Sequence, residues 1–168
     1  VWAVQQVLEK QGKQGYETEI EFSINQGFYC EIRALKDGIC LPADAAFLQQ
    51  VSEQMKKFIK EDMPLRKHQL KTKEVAGLFH KQGMPDKAKL MKYRRASETN
   101  VYEFEGYLDY FYGYMVPSAG YLPDFSLHPY ENGFILQMPE RQTPDKAAVF
   151  APDRKLFEVL KTTMDWGR

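Results

Sequence analysis

The chain is short of the residues that build metal and redox sites. Its 168 residues include only two cysteines, Cys30 and Cys40, and three scattered histidines, His68, His80 and His128. No H-x-x-x-H or C-x-x-C spacing occurs, so no zinc site is expected. A domain of this length builds its own core and needs no disulfide. Cys30 lies on an apolar, strand-like run and reads as a buried free thiol in the cytoplasm. No G-x-x-x-x-G-K-[ST] loop is present to cradle nucleotide phosphates. No apolar run approaches the ~18 residues that span a bilayer. The first residues lack the basic start and cleavage site of a signal peptide, and a start at Val1 reads as a trimmed piece of something longer.

Net charge is also zero, but it is unevenly spread. Residues 1–54 carry 4 basic and 8 acidic side chains, residues 55–95 carry 13 and 4, and residues 96–168 carry 6 and 11. The basic middle is either a patch for phosphate or RNA or the solvated face of two or three helices. Hydrophobic residues at 43% and charged residues at 27% describe a globular protein.

Apolar periodicity supplies the elements. Residues 2–11 read as the tail of an amphipathic helix. Thr18–Ile24 alternates, with Ile20, Phe22 and Ile24 on one face, and turns at Asn25-Gln26-Gly27 into a second strand, Phe28–Ala34. Pro42 opens a long helix with Asp44 in its first turn, stopped by Met63-Pro64. Leu65–Leu70 reads as a charged edge strand. Thr72 is expected to cap a helix through Gln82, and Pro85 to start another through about Tyr93. Strands follow at Val101–Glu105, Leu108–Tyr112, Tyr121–His128 and Gly133–Met138. A loop over Pro139–Pro152 leads to a last helix, Asp153–Trp166, with Leu156, Phe157, Val159, Leu160 and Met164 as its apolar face. Strands adjoin strands, which predicts an α+β fold with an antiparallel sheet and packed helices.

Catalytic constellations are weak. Ser118 with His128 or His80 and Asp109 has no spacing that forces the groups together, and Ser118 fits a turn residue better. The aromatics Tyr107, Tyr110, Phe111, Tyr112 and Tyr114 raise base stacking, but on strands half of them face a core by default. Gly106, Gly113 and Gly120 read as turn and bulge glycines.

The run Asp109-Tyr110-Phe111-Tyr112-Gly113-Tyr114-Met115-Val116-Pro117-Ser118-Ala119-Gly120 resembles the signature loop of the second N-terminal domain of threonyl-tRNA synthetase. In that family the frame carries a Cys and a His that line an editing pocket; here Phe111 and Met115 stand in their places. The family's His-x-x-x-His helix also has no counterpart in Trp2–Lys10. The strand segment Gln26–Ile32, the helix exit Met55–Leu65 and the helix run Glu74–Phe79 are similar too, so the likeness covers roughly Gln26–Leu122. Segments Asp86–Arg94, Asp109–Gly113, Val116–Ser118, Gly120–Leu122, Leu156-Phe157 and Trp166–Arg168 further resemble the region that precedes the P-loop domain of bacterial uridine kinases.

The resemblance implies a synthetase-like domain over 1–139, with 140–168 leading towards a kinase domain beyond this chain. It implies an accessory role beside an ATP-dependent nucleoside kinase, regulatory, ligand-binding or assembling. No catalytic residue or cofactor is expected in this piece; ATP and magnesium would belong to the parent. The alternatives are a tRNA- or RNA-binding module using residues 55–95, and a degenerate editing hydrolase recruiting Asp109 with His128 or His80. Tyr29, Asp109, Phe111, Tyr112, Met115 and Ser118 are the candidate ligand-binding residues, carried over by position.

Overall fold

The computed structural model describes residues 1–111, 113–140 and 143–166. In chain order the elements are α1 (Trp2–Lys10), β1 (Tyr16–Ile24), β2 (Gly27–Ala34), β3 (Cys40–Leu41), α2 (Ala45–Lys60), β4 (Arg66–Lys71), α3 (Thr72–Lys81), α4 (Pro85–Tyr93), β5 (Glu98–Phe104) and β6 (Tyr107–Asp109). A short 3-10 turn (Ala119–Tyr121) precedes β7 (Ser126–Tyr130), β8 (Gly133–Gln137), β9 (Pro139–Glu140), β10 (Thr143–Ala147) and α5 (Arg154–Trp166). They gather into two compact units: Trp2 with Lys57–Leu122, and the rest of the chain. Every strand pair is antiparallel, as the α+β reading expects.

The unit holding both ends of the chain is built on a five-stranded sheet. β1, β2, β8 and β7 lie in that order, and β3 pairs with β2. The β1–β2 hairpin turns at Asn25, whose φ of 52° suits the short polar side chain of asparagine. Its alternation departs from the sequence reading. A bulge between Ile20 and Phe22 shifts the register, so Ile20 is exposed while Glu21 is buried. One extra residue flips the side chains that precede it. Phe22 and Ile24 remain on the core face, packed with Tyr29, Ile135 and Phe157. The Phe157 ring meets Tyr29 edge-on at 4.8 Å. Of the five apolar residues expected to bury α5, only Phe157 is fully buried, and Leu156 and Val159 face solvent. Gly133 opens β8 against the Cys30 carbonyl, where any Cβ would collide.

Three further expectations are corrected. Pro42 does not open α2: Asp44 precedes the helix and caps it, its Oδ1 accepting from the Phe47 amide at 2.7 Å. The strand expected over Tyr121–His128 begins only at Ser126, because residues 119–121 form the 3-10 turn. Within the Pro139–Pro152 loop, β9 and β10 pair with each other.

The other unit carries a three-stranded sheet, β4-β5-β6, with β4 on its edge. Helices α3 and α4 bury Val75, Phe79, Ala88 and Met91 with Val101 of β5. Pro85 sits in the first turn of α4, where its missing N–H costs nothing. Thr72 is not the cap of α3. It lies inside the first turn, and its hydroxyl pairs with Ala96 O at 2.7 Å and Thr99 Oγ1 at 2.8 Å. β5 starts earlier than expected, at Glu98, and β6 ends at Asp109. Tyr112, the expected end of that strand, lies outside the described residues.

Candidate functional site

The signature run hangs from β6 and is held at several points. Asp109, the last residue of β6, pairs across the sheet with Tyr102. Asp109 is 1% exposed, and its carboxylate accepts from Lys87 Nζ at 2.6 Å and from the Tyr110 amide at 2.7 Å. Lys87 comes from α4, so this ion pair ties a helix to the start of the run. A carboxylate so engaged is a structural anchor rather than a free base.

Tyr102 organises the middle of the run. Its hydroxyl donates to Gly113 O at 3.4 Å and accepts from the Met115 amide at 3.1 Å. The Phe111 ring stands edge-on to Tyr102 at 6.3 Å and to Trp2 at 5.7 Å, and Trp2 stacks on Phe104 at 4.8 Å. Phe58 adds an edge contact to Phe104 at 4.7 Å. The positions where the resemblance would place a thiol and an imidazole thus carry half-buried apolar side chains, with Phe111 in an aromatic cluster. Such side chains offer nothing to activate water or take up a proton.

The end of the run is fixed by the exit of α2. Ser118 bridges to Pro64, the Leu65 amide donates to Pro117 O at 2.9 Å, and the Ala119 amide to Met63 O at 2.8 Å. Asp62, at φ 47°, receives the Gly120 amide at 2.8 Å, and a Cβ on residue 120 would strike that carboxylate. The Pro-Ser-Ala-Gly turn is therefore shaped by its partners. Of the two histidines considered as partners for Ser118, one is held by its own neighbours. His128, in the other unit, pairs with Ser126 at 2.9 Å and stacks on Phe150 at 4.1 Å. Burial lowers the His128 pKa. His80 lies in the last turn of α3.

Tyr29 belongs to the other unit and heads a buried polar cluster there. Its hydroxyl donates to Glu31 Oε1 at 2.9 Å, and Lys161 Nζ of α5 reaches the same oxygen at 2.7 Å. Arg33 and the Cys40 thiol engage Glu31 Oε2, the thiol at 3.2 Å. Burial pushes the Tyr29 pKa upward, and the Glu31 carboxylate adds to it. Burial alone would raise Glu31, but its bonds from Lys161, Cys40 and Tyr29 hold it below the usual carboxylate range. Burial raises Cys30 to about 11 and, with Glu31, raises Cys40, so neither thiol is primed as a nucleophile. Both are free, as expected of Cys30.

The sequence reading missed Lys87, Tyr102, Glu31 and Lys161. An Asp–Lys pair 22 residues apart, or a Glu–Lys pair 130 apart, leaves no local signal. Among the described residues, no group of His, Cys, Asp and Glu is placed to hold a metal, and no helix is long and apolar enough to cross a membrane.

Comparison with known proteins agrees with the signature run. No family model matches. The threonine–tRNA ligases of Thermotoga maritima and Thermotoga petrophila are each 28% identical over 123 residues, 73% of this chain. That of Thermoplasma volcanium is 30% identical over 80 residues, 48% of this chain. The chain is homologous to the N-terminal region of threonyl-tRNA synthetase. It spans 18% of the length of the two Thermotoga relatives. These matches lend no support to a kinase parent.

Proposed function

We propose that the chain is a threonyl-tRNA-synthetase-like module that holds tRNA without hydrolysing its aminoacyl ester. The observation that carries this reading is the aromatic cluster around Phe111. The frame of an editing loop is kept, while Phe111 and Met115 stand at its polar positions and Lys87 occupies Asp109. Editing needs a group to activate water and another to orient the ester, and this loop presents neither. The tRNA half of the proposal rests on the homology and on the surplus of nine positive charges over residues 55–95. An accessory role beside a nucleoside kinase, with ATP and magnesium bound by that parent, rests on segment resemblance alone.

The test is an ester-release assay with mischarged tRNA alongside filter retention of the same tRNA. The proposal expects retention at low salt with the ester left at the uncatalysed rate. Accelerated release would return the chain to the editing hydrolases, and loss of retention would remove the tRNA role.

A further inference from the structure

We propose that the junction of β4 and α3, facing the end of α4, is a docking groove for the sugar–phosphate backbone of RNA. The inference rests on the tRNA-holding reading and gives it a surface. The groove encloses about 890 Å³ and lies wholly within the unit containing Lys57–Leu122. Lys71 and Lys73 reach its lining from the junction of β4 and α3, and Lys92, Arg94 and Arg95 from the end of α4 and the loop that follows it. The acids among its lining residues are Glu74 and Glu98, which leaves a surplus of three positive charges (five minus two).

Four of the five cations are available. Lys71, Lys73, Lys92 and Arg95 are exposed and make no ion pair among the described residues. Arg94 is committed, with its guanidinium over the Tyr110 ring at 5.0 Å and bonded to the Tyr110 hydroxyl. Part of the lining is held by hydrogen bonds within the chain. The Thr72 amide donates to Ser97 O at 2.9 Å and its hydroxyl to Ala96 O, which pins the loop after α4 to the start of α3.

The chemistry favours a rod-like polyanion. Cations brought from two chain segments to the lining of one concave groove match a narrow strand lying in it better than a flat anionic membrane, which cannot enter a concavity. Met91 and Ala76 add apolar surface to the lining, which suits ribose. Among the described residues no aromatic side chain lines the groove, so they offer no stacking platform there, and phosphate contacts position a strand without reading its bases.

Four phosphate contacts give a slope of log affinity against log salt of about −3, which weakens binding roughly 60-fold between 50 and 200 mM salt. The test is filter binding of tRNA across that range by the whole chain and by Lys71→Gln, Lys73→Gln, Lys92→Gln and Arg95→Gln. Lys60→Gln and Lys81→Gln serve as exposed controls outside the groove, and circular dichroism checks the fold of each. Groove variants are expected to flatten the slope by about 1 each, and the controls to leave it unchanged. If tRNA binds and groove and control variants behave alike, the groove is overturned and the tRNA reading stands. If the intact chain retains no tRNA, both fall. If phosphatidylserine vesicles, but not tRNA, are bound with this variant dependence, a membrane surface replaces RNA and the proposal is overturned.

Discussion

Lys87 holds the Asp109 carboxylate at 2.6 Å, joining α4 to the last residue of β6 at the head of the signature run. The pair spans a buried acid and a lysine whose side chain is 37% exposed. Its geometry gives Asp109 a structural role: the acid anchors the sheet to the helix.

Replacing Lys87 by methionine should therefore destabilise the fold. It removes the charged donor from a buried carboxylate that still accepts from the Tyr110 amide, at a cost of about 1–3 kcal/mol. Urea unfolding of Lys87→Met checks this. Asp109→Asn should cost less than Lys87→Met, because an amide can be buried without carrying charge. The reverse order would argue that the carboxylate serves something other than anchoring.

Glu31 makes stability depend on acid. Its folded pKa lies below the unfolded value of about 4.3, so its contribution is complete above that value and is lost as pH falls through the folded one. Glu31→Gln should lose less stability than the parent between pH 7 and pH 3, measured by urea midpoints at each pH. At pH 7, Glu31→Ala should cost about 3–5 kcal/mol, because Arg33 and Lys161 lose their buried partner. Equal acid sensitivity in parent and Glu31→Gln would contradict this assignment.

Much of the fold was legible in the sequence. Pro85 marked the start of α4, and Asn25-Gln26-Gly27 marked the first hairpin. What was not legible depends on tertiary partners. Thr72 has the chemistry of a cap, yet its hydroxyl is drawn to Ala96 and Thr99 across the fold. The β1 alternation misled at Ile20 because a bulge obeys the pairing partner, not the strand's own pattern. In the signature run, the exchange of polar for apolar residues at 111 and 115 could be read directly. The clamp that Tyr102 and Lys87 place around them could not.

Gly133→Ala should be among the most damaging single-methyl changes. The added Cβ meets the Cys30 carbonyl in the centre of the sheet, where backbone cannot yield as a flexible side chain would. Overpacking of this kind costs about 1–3 kcal/mol. Thermal unfolding should show a lowered midpoint, whereas Gly77→Ala, where a Cβ meets open space on α3, should hold or raise it. Equal effects at the two positions would contradict the packing described for β8.

Binding of tRNA without ester hydrolysis is tested most directly by incubating the chain with mischarged tRNA at 50 mM salt. The fraction retained and the fraction still esterified are followed in one sample. Retention is expected, with ester loss no faster than in buffer. Release of the amino acid at a rate that scales with the amount of chain would contradict it.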